Sequence, residues 1–231
     1  MEYQVNENKI VADILTELSV NISHEFKTPL TSIIGFSDLL LNNMAKAEDI
    51  STFATLIRNE AAHLAEIVED IAFISEIYSK SNTNIPLLTM TNVIDEVSNK
   101  LKDFAYERTV SIEITGEAVM LPMNRDIAYR LIYNLMDNAI RYNTPDGKVT
   151  VDVRKENDRV KITVSDTGVG ISPEHIGRIS ECFYRVDKSH SKKTGGAGCG
   201  LYIVKHIVEC QKGHIEIKSA ENVGTVVTVL L

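Results

Sequence analysis

The 231-residue chain has no tryptophan, five prolines and only three cysteines. Cys182, Cys199 and Cys210 form no Cys-x-x-Cys pair and are odd in number, so their spacing carries neither a zinc site nor a disulfide framework. The setting expected for so few thiols is a reducing cytoplasm. No apolar run approaches the roughly 20 residues of a bilayer-spanning helix. The opening Met1-Glu2-Tyr3-Gln4 lacks the basic and apolar stretches of a secretory leader. Positive charge is scarce too: 24 Lys and Arg face 32 Asp and Glu, a net charge of −8. With no basic run, that balance argues against nucleic acid as a partner. What is present is 44% hydrophobic residues, enough for a buried core in one large domain or two small ones.

The apolar residues are patterned. Val11, Leu15, Leu18, Ile22, Phe26, Leu30, Ile33 and Leu40 recur at three- and four-residue steps, with Ser37 the one polar exception. This is close to a coiled-coil seam and predicts a helix from about Asn8 to Leu41. Asn42-Asn43-Met44 breaks it, and Asp49 opens a second helix with its own seam: Ile50, Phe53, Ile57, Ala61, Leu64, Ile67, Ile71, Ile74 and Tyr78. One antiparallel hairpin cannot cover both seams, so two copies are expected to pair as a homodimeric four-helix bundle. His24 stands two residues past Ile22, roughly 200° around the helix, and points away from the seam. Glu25 beside it could orient or deprotonate the imidazole. Thr28 lies one turn on and could hold a water, and Pro29 weakens and bends the helix there. Alone, a His-Glu pair of this kind is commonly an ordinary surface feature.

The polar stretch at residues 79–86 ends in proline and is the expected linker, dividing the chain into domains at 1–82 and 83–231. Beyond it, helices at Val93–Tyr106, Asn124–Tyr142 and Gly200–Gln211 alternate with strands near Val110–Ile114, Val149–Val153, Val160–Val164, His214–Lys218 and Thr225–Leu230. The whole is α+β: a helical hairpin followed by an α/β sandwich.

Three pieces of this second half suggest a nucleotide. Asn134, Asn138 and Arg141 form one polar stripe at i, i+4 and i+7, an unfavourable use of mid-helix Asn unless the amides face a ligand such as Mg²⁺ bridging phosphates. Asp166-Thr167-Gly168-Val169-Gly170-Ile171 follows a strand, where the glycines would admit a flat ligand and Asp166 could accept from the exocyclic amine of adenine. Gly195-Gly196-Ala197-Gly198-Cys199-Gly200 then feeds Leu201-Tyr202 at a helix start, a phosphate cradle without the Gly-Lys-Ser/Thr ending of a P-loop. The basic stretch from Tyr184 to Lys193 describes a lid over a polyphosphate, with Arg185 best placed for the terminal phosphate.

Assembled in this order, the chain from about Leu18 to Leu231 resembles the cytoplasmic core of the sensor histidine kinases of two-component systems. Ser23-His24-Glu25-Phe26-Lys27-Thr28-Pro29-Leu30 looks like the histidine box, and Asn134 to Tyr142 like the asparagine box. Asp166 to Ile171 and Gly196 to Leu201 look like the two glycine boxes, and Cys182 to Asp187 like the phenylalanine box. The resemblance implies a Bergerat-type ATP-binding fold and assigns His24 as phosphoacceptor, Glu25 as assisting base and Thr28 as a helper in dephosphorylating the partner. It makes Asn138 the Mg²⁺ ligand and puts Asn134 and Arg141 on phosphate and Asp166 on adenine. Tyr142, Gly168, Gly170, Ile171, Gly196, Gly198, Gly200 and Leu201 complete the ATP site. The implied partner is the receiver domain of a response regulator. Cys199 stands where leucine is commoner in the family, and Cys182 where arginine is frequent. The other expectation considered is a non-catalytic, ATP-binding dimeric scaffold. Family members usually carry sensor domains upstream and 23 residues precede His24, so the expectation is a truncated, membrane-anchored sensor in preference to a soluble kinase driven by a partner, with no membrane contact from this segment.

Overall fold

The computed structural model describes the backbone of residues 2–79, 85–186 and 198–231 and the side chains of residues 22–78, 85–186 and 198–231. The seam side chains Val11, Leu15 and Leu18, residues 80–84 of the expected linker, and the lid stretch 187–193 with Gly195 and Gly196 lie outside the described residues.

Helix α1 (Glu2–Leu41) runs antiparallel to α2 (Ile50–Ser79), and Phe36 stacks on Phe53 with ring centroids 5.3 Å apart. The turn between them follows from its asparagines. Asn43 takes the left-handed conformation (φ 55°) that Asn tolerates better than most residues. The amides of Asn43 and Met44 then donate back to Leu40 and Leu39, closing the helix with a Schellman motif. Helix α1 continues through Pro29, which is buried. Along the hairpin Leu30, Ile34, Leu41, Ile50 and Val68 remain exposed, so one chain leaves apolar surface uncovered.

The remainder comprises β1 (Leu87–Thr89), α3 (Met90–Glu107), β2 (Ser111–Gly116), β3 (Met120–Pro122), α4 (Arg125–Arg141), β4 (Lys148–Glu156), β5 (Arg159–Asp166), α5 (Pro173–Ile176), α6 (Gly200–Cys210), β6 (His214–Ala220) and β7 (Gly224–Leu230). Five strands form one sheet in the order β2-β4-β5-β7-β6, antiparallel except for the parallel β2–β4 pair. Strands β4 and β5 alternate with period two: Val149, Val151, Val153, Val160, Ile162 and Val164 are buried, while Thr150 and Asp152 between them face outwards. On the buried face lie α3, α4 and α6, each burying an apolar stripe such as Ile94, Val97 and Leu101 of α3. Strands β1 and β3 make a separate antiparallel ladder that the sequence reading missed, being only three residues each.

The lower end of α2 packs against this second unit. Ile67, Ile74 and Ile77 are buried, and Asp70 forms an ion pair with Arg130 of α4. The Arg130 guanidinium also lies 5.5 Å from the Phe73 ring centroid. Near the end of α2, the Tyr78 hydroxyl meets His206 Nδ1 of α6.

Candidate nucleotide and phosphoacceptor sites

Helix α4 positions the polar stripe. Asn124 caps it, its side chain accepting from the Asp126 amide at 2.9 Å, and eight apolar residues from Ile127 to Ile140 face the core. Asn134, Asn138 and Arg141 therefore project on the other side, where they line a cavity of about 760 Å³ between α4, the end of β5, the start of α6 and α2. Among the described residues, the buried Nδ2 of Asn134 has no hydrogen-bond partner, a costly state for a donor unless a ligand supplies the acceptor. A Cβ on Gly200 would stand 3.4 Å from Asn134 Oδ1 and 3.5 Å from Asn138 Nδ2, so the N-terminus of α6 lies directly against the two amides. Arg141 is held by Asp137 through Nε–Oδ2 at 2.9 Å and Nη2–Oδ1 at 2.8 Å, and it sits over the Phe104 ring. Burial disfavours its charge, but the Asp137 carboxylate outweighs burial and raises its pKa, so a fixed cation faces the cavity.

Asp166 ends β5. Its Oδ1 accepts from the amides of Gly168 (2.9 Å) and Thr225 (3.2 Å). Burial nevertheless lifts its carboxyl above the usual range, against the pull of those two donors. The adjoining glycines serve a purpose the sequence did not disclose. A Cβ on Gly168 would strike the Tyr142 carbonyl, and one on Gly170 (φ +67°) would strike the Ala220 carbonyl. They let the loop press onto protein backbone, and Gly168 does not line the cavity although Gly170 and Ile171 do. The loop is held there by Ser219 Oγ, which accepts from the Ile171 amide at 2.8 Å, and by the Val169 amide donating to Tyr142. Of the other expected positions, Tyr142, Asp166, Arg185, Gly198, Gly200 and Leu201 line the cavity. Gly196 lies outside the described residues.

His24 is separate from this cavity. Its side chain is 78% exposed, with Nδ1 3.6 Å from Glu25 Oε1. The Thr28 hydroxyl donates to the His24 backbone carbonyl at 3.5 Å. Moving from the Phe36–Phe53 contact equally along the antiparallel helices puts His24 level with Ala65, one residue from Glu66. Glu66, with Glu69 and Asp70, lines the cavity from the α2 side. Sequence reasoning missed these three carboxylates, which read as a solvated helix face, and also Thr225 and Ser219. A second departure concerns the thiols: Cys182 and Cys199, expected as unpaired, are joined in a disulfide.

Residues 14–78 match the family model described as the His Kinase A (phospho-acceptor) domain. Residues 123–231 match that of the Histidine kinase-, DNA gyrase B-, and HSP90-like ATPase. The chain belongs to the sensor histidine kinases of two-component systems. The chain is 31% identical over 216 residues to the sensor histidine kinase CusS of Escherichia coli O157:H7, covering 90% of this chain and 44% of that protein. To the sensor protein kinase WalK of Staphylococcus aureus it is 29% identical over 233 residues, covering 99% of this chain and 56% of WalK. It thus spans about half the length of these curated relatives. Its fold is that of the histidine kinase ThkA, solved in complex with the response regulator protein TrrA (TM-score 0.78, 22% identity, 99% of this chain and 66% of that one). Acinetobacter baumannii AdeS is similar too (TM-score 0.73, 21% identity, 90% and 96% covered). Among the described residues, no helix of the kinase is long and apolar enough to cross a membrane.

Proposed function

We propose that this kinase binds ATP in the cavity, transfers the γ-phosphoryl group to His24 and passes it to an aspartate of a response regulator receiver domain. The observation that carries this reading is the buried, unpartnered Asn134 amide beside Asn138, Arg141 and the N-terminus of α6. That is a donor set for a polyphosphate. In this reading Asn134 and Arg141 hold phosphate oxygens, Arg185 the terminal phosphate, and Asp166 the adenine amine. Tyr142, Gly170, Ile171, Gly198, Gly200 and Leu201 form the walls, and Gly168 shapes the loop from behind. A related full-length kinase, ShkA, has been solved with AMPPNP, which supports the same ligand class here.

Among the described residues, no cluster of three or more His, Cys, Asp or Glu could hold an ion by itself. Asn138 would hold Mg²⁺ through its side-chain oxygen, with phosphates completing the shell. When bound, Mg²⁺ would neutralise charge developing on the phosphate oxygens. At the acceptor, Nδ1 lies 3.6 Å from Glu25 Oε1, so this carboxylate would take the Nδ1 proton as Nε2 attacks phosphorus. The N–P bond forms as the bond to ADP breaks. Thr28, tied to the His24 carbonyl, orients water for the opposing regulator phosphatase reaction. Residues 1–82 would be the dimerisation and phosphotransfer domain and 83–231 the ATP-binding domain. Exposed Leu30, Ile34, Leu41, Ile50 and Val68 support a homodimeric bundle. The regulator complex solved for ThkA supports the partner.

The test is incubation with Mg²⁺ and γ-labelled ATP, beside a His24→Gln variant. Label that survives alkali, is lost in mild acid and is absent from the variant is the expected result. Nucleotide binding without label would overturn the kinase reading in favour of a scaffold.

A further inference from the structure

Two segments of chain lie side by side in the wall of the cavity. One carries Cys182 and continues through Phe183 to Tyr184 and Arg185; the other carries Gly198, Cys199 and Gly200 into α6. The Phe183 amide donates to the Gly198 carbonyl at 3.2 Å, and the Cα atoms of Cys182 and Cys199 are 4.6 Å apart. Cys199 is also the N-cap residue of α6, its carbonyl accepting from the Ile203 amide at 2.8 Å. Residues on both segments, Tyr184 and Arg185 on one and Gly198 and Gly200 on the other, line the cavity. Cys182 is 4% exposed and Cys199 is fully buried, whereas Cys210, on the far end of α6, is a free thiol.

We propose that Cys182 and Cys199 are a reversible thiol–disulfide site, closed by exchange with a disulfide of the glutathione class, that sets the affinity of the cavity for nucleotide. The second half rests on the nucleotide reading given above. A thiolate of one cysteine attacks a glutathione disulfide sulfur, forming a mixed disulfide and releasing one glutathione thiolate. The thiolate of the other cysteine then attacks the protein sulfur of that mixed disulfide and releases the second. The two cysteines lose two electrons and two protons in total, and both pass to the two glutathione thiols. Reduction runs the same steps backwards.

The bridge joins residues 17 apart in sequence and locks together the two walls that present Arg185 and the N-terminus of α6. With the bridge open, those walls are held by non-covalent contacts such as the Phe183–Gly198 hydrogen bond, and nucleotide binding must order them. Fixing a binding segment beforehand removes that ordering cost, so the oxidised protein binds nucleotide about tenfold more tightly. Because both sulfurs are buried, exchange requires the walls to part, and bound nucleotide slows it.

The experiment uses the full chain, equilibrated either with glutathione disulfide or with dithiothreitol. Thiols are trapped with N-ethylmaleimide under denaturing conditions and counted by mass, and ADP affinity is measured by calorimetry on each form. One alkylated thiol in the oxidised form, three in the reduced form and an affinity difference of about tenfold are expected. Cys182→Ser and Cys199→Ser should each bind ADP as the reduced protein does, without response to glutathione disulfide. Three alkylated thiols after oxidation, or stable glutathione adducts in place of the bridge, would overturn the site. Equal ADP affinity in the two wild-type forms would overturn its effect, with no reliance on the variants folding. ADP binding to neither form would refute the nucleotide reading and the effect together, and the thiol count would still decide the bridge.

Discussion

Replacing Arg130 by Ala removes the charged partner of Asp70 at the contact between α2 and α4. The Asp70 side chain is 11% exposed and that of Arg130 27%. Stripping the partner from a fully buried ion pair costs about 3–5 kcal/mol, because the remaining charge is left without compensation. Water reaching Arg130 lowers that to about 2–3 kcal/mol, including the lost contact with the Phe73 ring. An effect of that size opens the contact roughly 30- to 150-fold more often. The two partners should not be equivalent. Burial pushes the Asp70 carboxyl above its usual range despite the opposing pull of Arg130, so its ionised form is held at a cost. Asp70→Asn keeps an acceptor for the guanidinium and removes that cost, and should lose less than about 1 kcal/mol. Hydrogen exchange of the α2 amides between Ile71 and Ile77 reads the opening free energy directly. Arg130→Ala exchanging within threefold of wild type, or Asp70→Asn exchanging faster than Arg130→Ala, would refute the reasoning.

Gly170→Ala forces an L-residue to φ +67° and drives its Cβ into the Ala220 carbonyl, so thermal unfolding should show a loss of about 2 kcal/mol or more together with lost nucleotide binding. Gly177→Ala, where nothing lies within 4 Å of the added carbon, is the near-neutral control. Burial, with a smaller contribution from Lys205, lowers the pKa of His206 to about 4 from an ordinary 6.5. The released imidazole therefore binds protons more readily than the docked one, and the Tyr78–His206 contact should weaken as pH falls from about 6.5 towards 4 and stay constant above that window. Exchange of α2 amides against pH checks this, and His206→Phe should flatten the profile. Glu66, whose carboxyl is held low by the nearby His63 imidazole, and Glu69 both face the cavity from α2. Glu66→Gln with Glu69→Gln should tighten ADP binding several-fold at low ionic strength and by less at high salt.

How far the sequence reached differed by element for physical reasons. Helix α4 was legible to the residue because Asn124 caps it, its apolar period is unbroken and Asn143-Thr144-Pro145-Asp146-Gly147 stops it. The sandwich strands were equally plain, since one buried face imposes strict alternation. The docking of α2 was not, because Ile67 and Ile74 read equally well as a seam for α1, and Ile77, also buried, lay outside that seam. A heptad says that a face is buried and leaves open what buries it. The α4 side of the cavity was picked out through Asn134, Asn138 and Arg141, which break propensity rules, whereas Glu66 and Glu69 obey every rule for an exposed helix face. Gly168 and Gly170 were read as making room for a ligand, yet the backbone that needs their room belongs to Tyr142 and Ala220. Cys182 and Cys199 carried no signal of their pairing, since a separation of 17 residues does not reveal that the chain returns on itself.

The carboxylates of α2 give the docked arrangement its consequence. Arg130 and Arg141 form one edge of the cavity, and Glu66, Glu69 and Asp70 approach it from the other side. In this arrangement the acidic face of α2 supplies part of the counter-charge for those arginines. An incoming polyphosphate must occupy the same positive field while the carboxylates are still nearby, so ligand and α2 compete for one set of charges. Binding free energies are reciprocal: if docking of α2 weakens nucleotide binding by some factor, nucleotide must weaken that docking by the same factor. His24 lies level with Ala65 along the hairpin axis but does not line the cavity, and its ring is in solvent. In the proposed reaction the cavity would have to leave the Asp70–Arg130 contact and turn towards the ring. Competition for the arginines supplies a driving force for that departure at the moment the phosphate arrives.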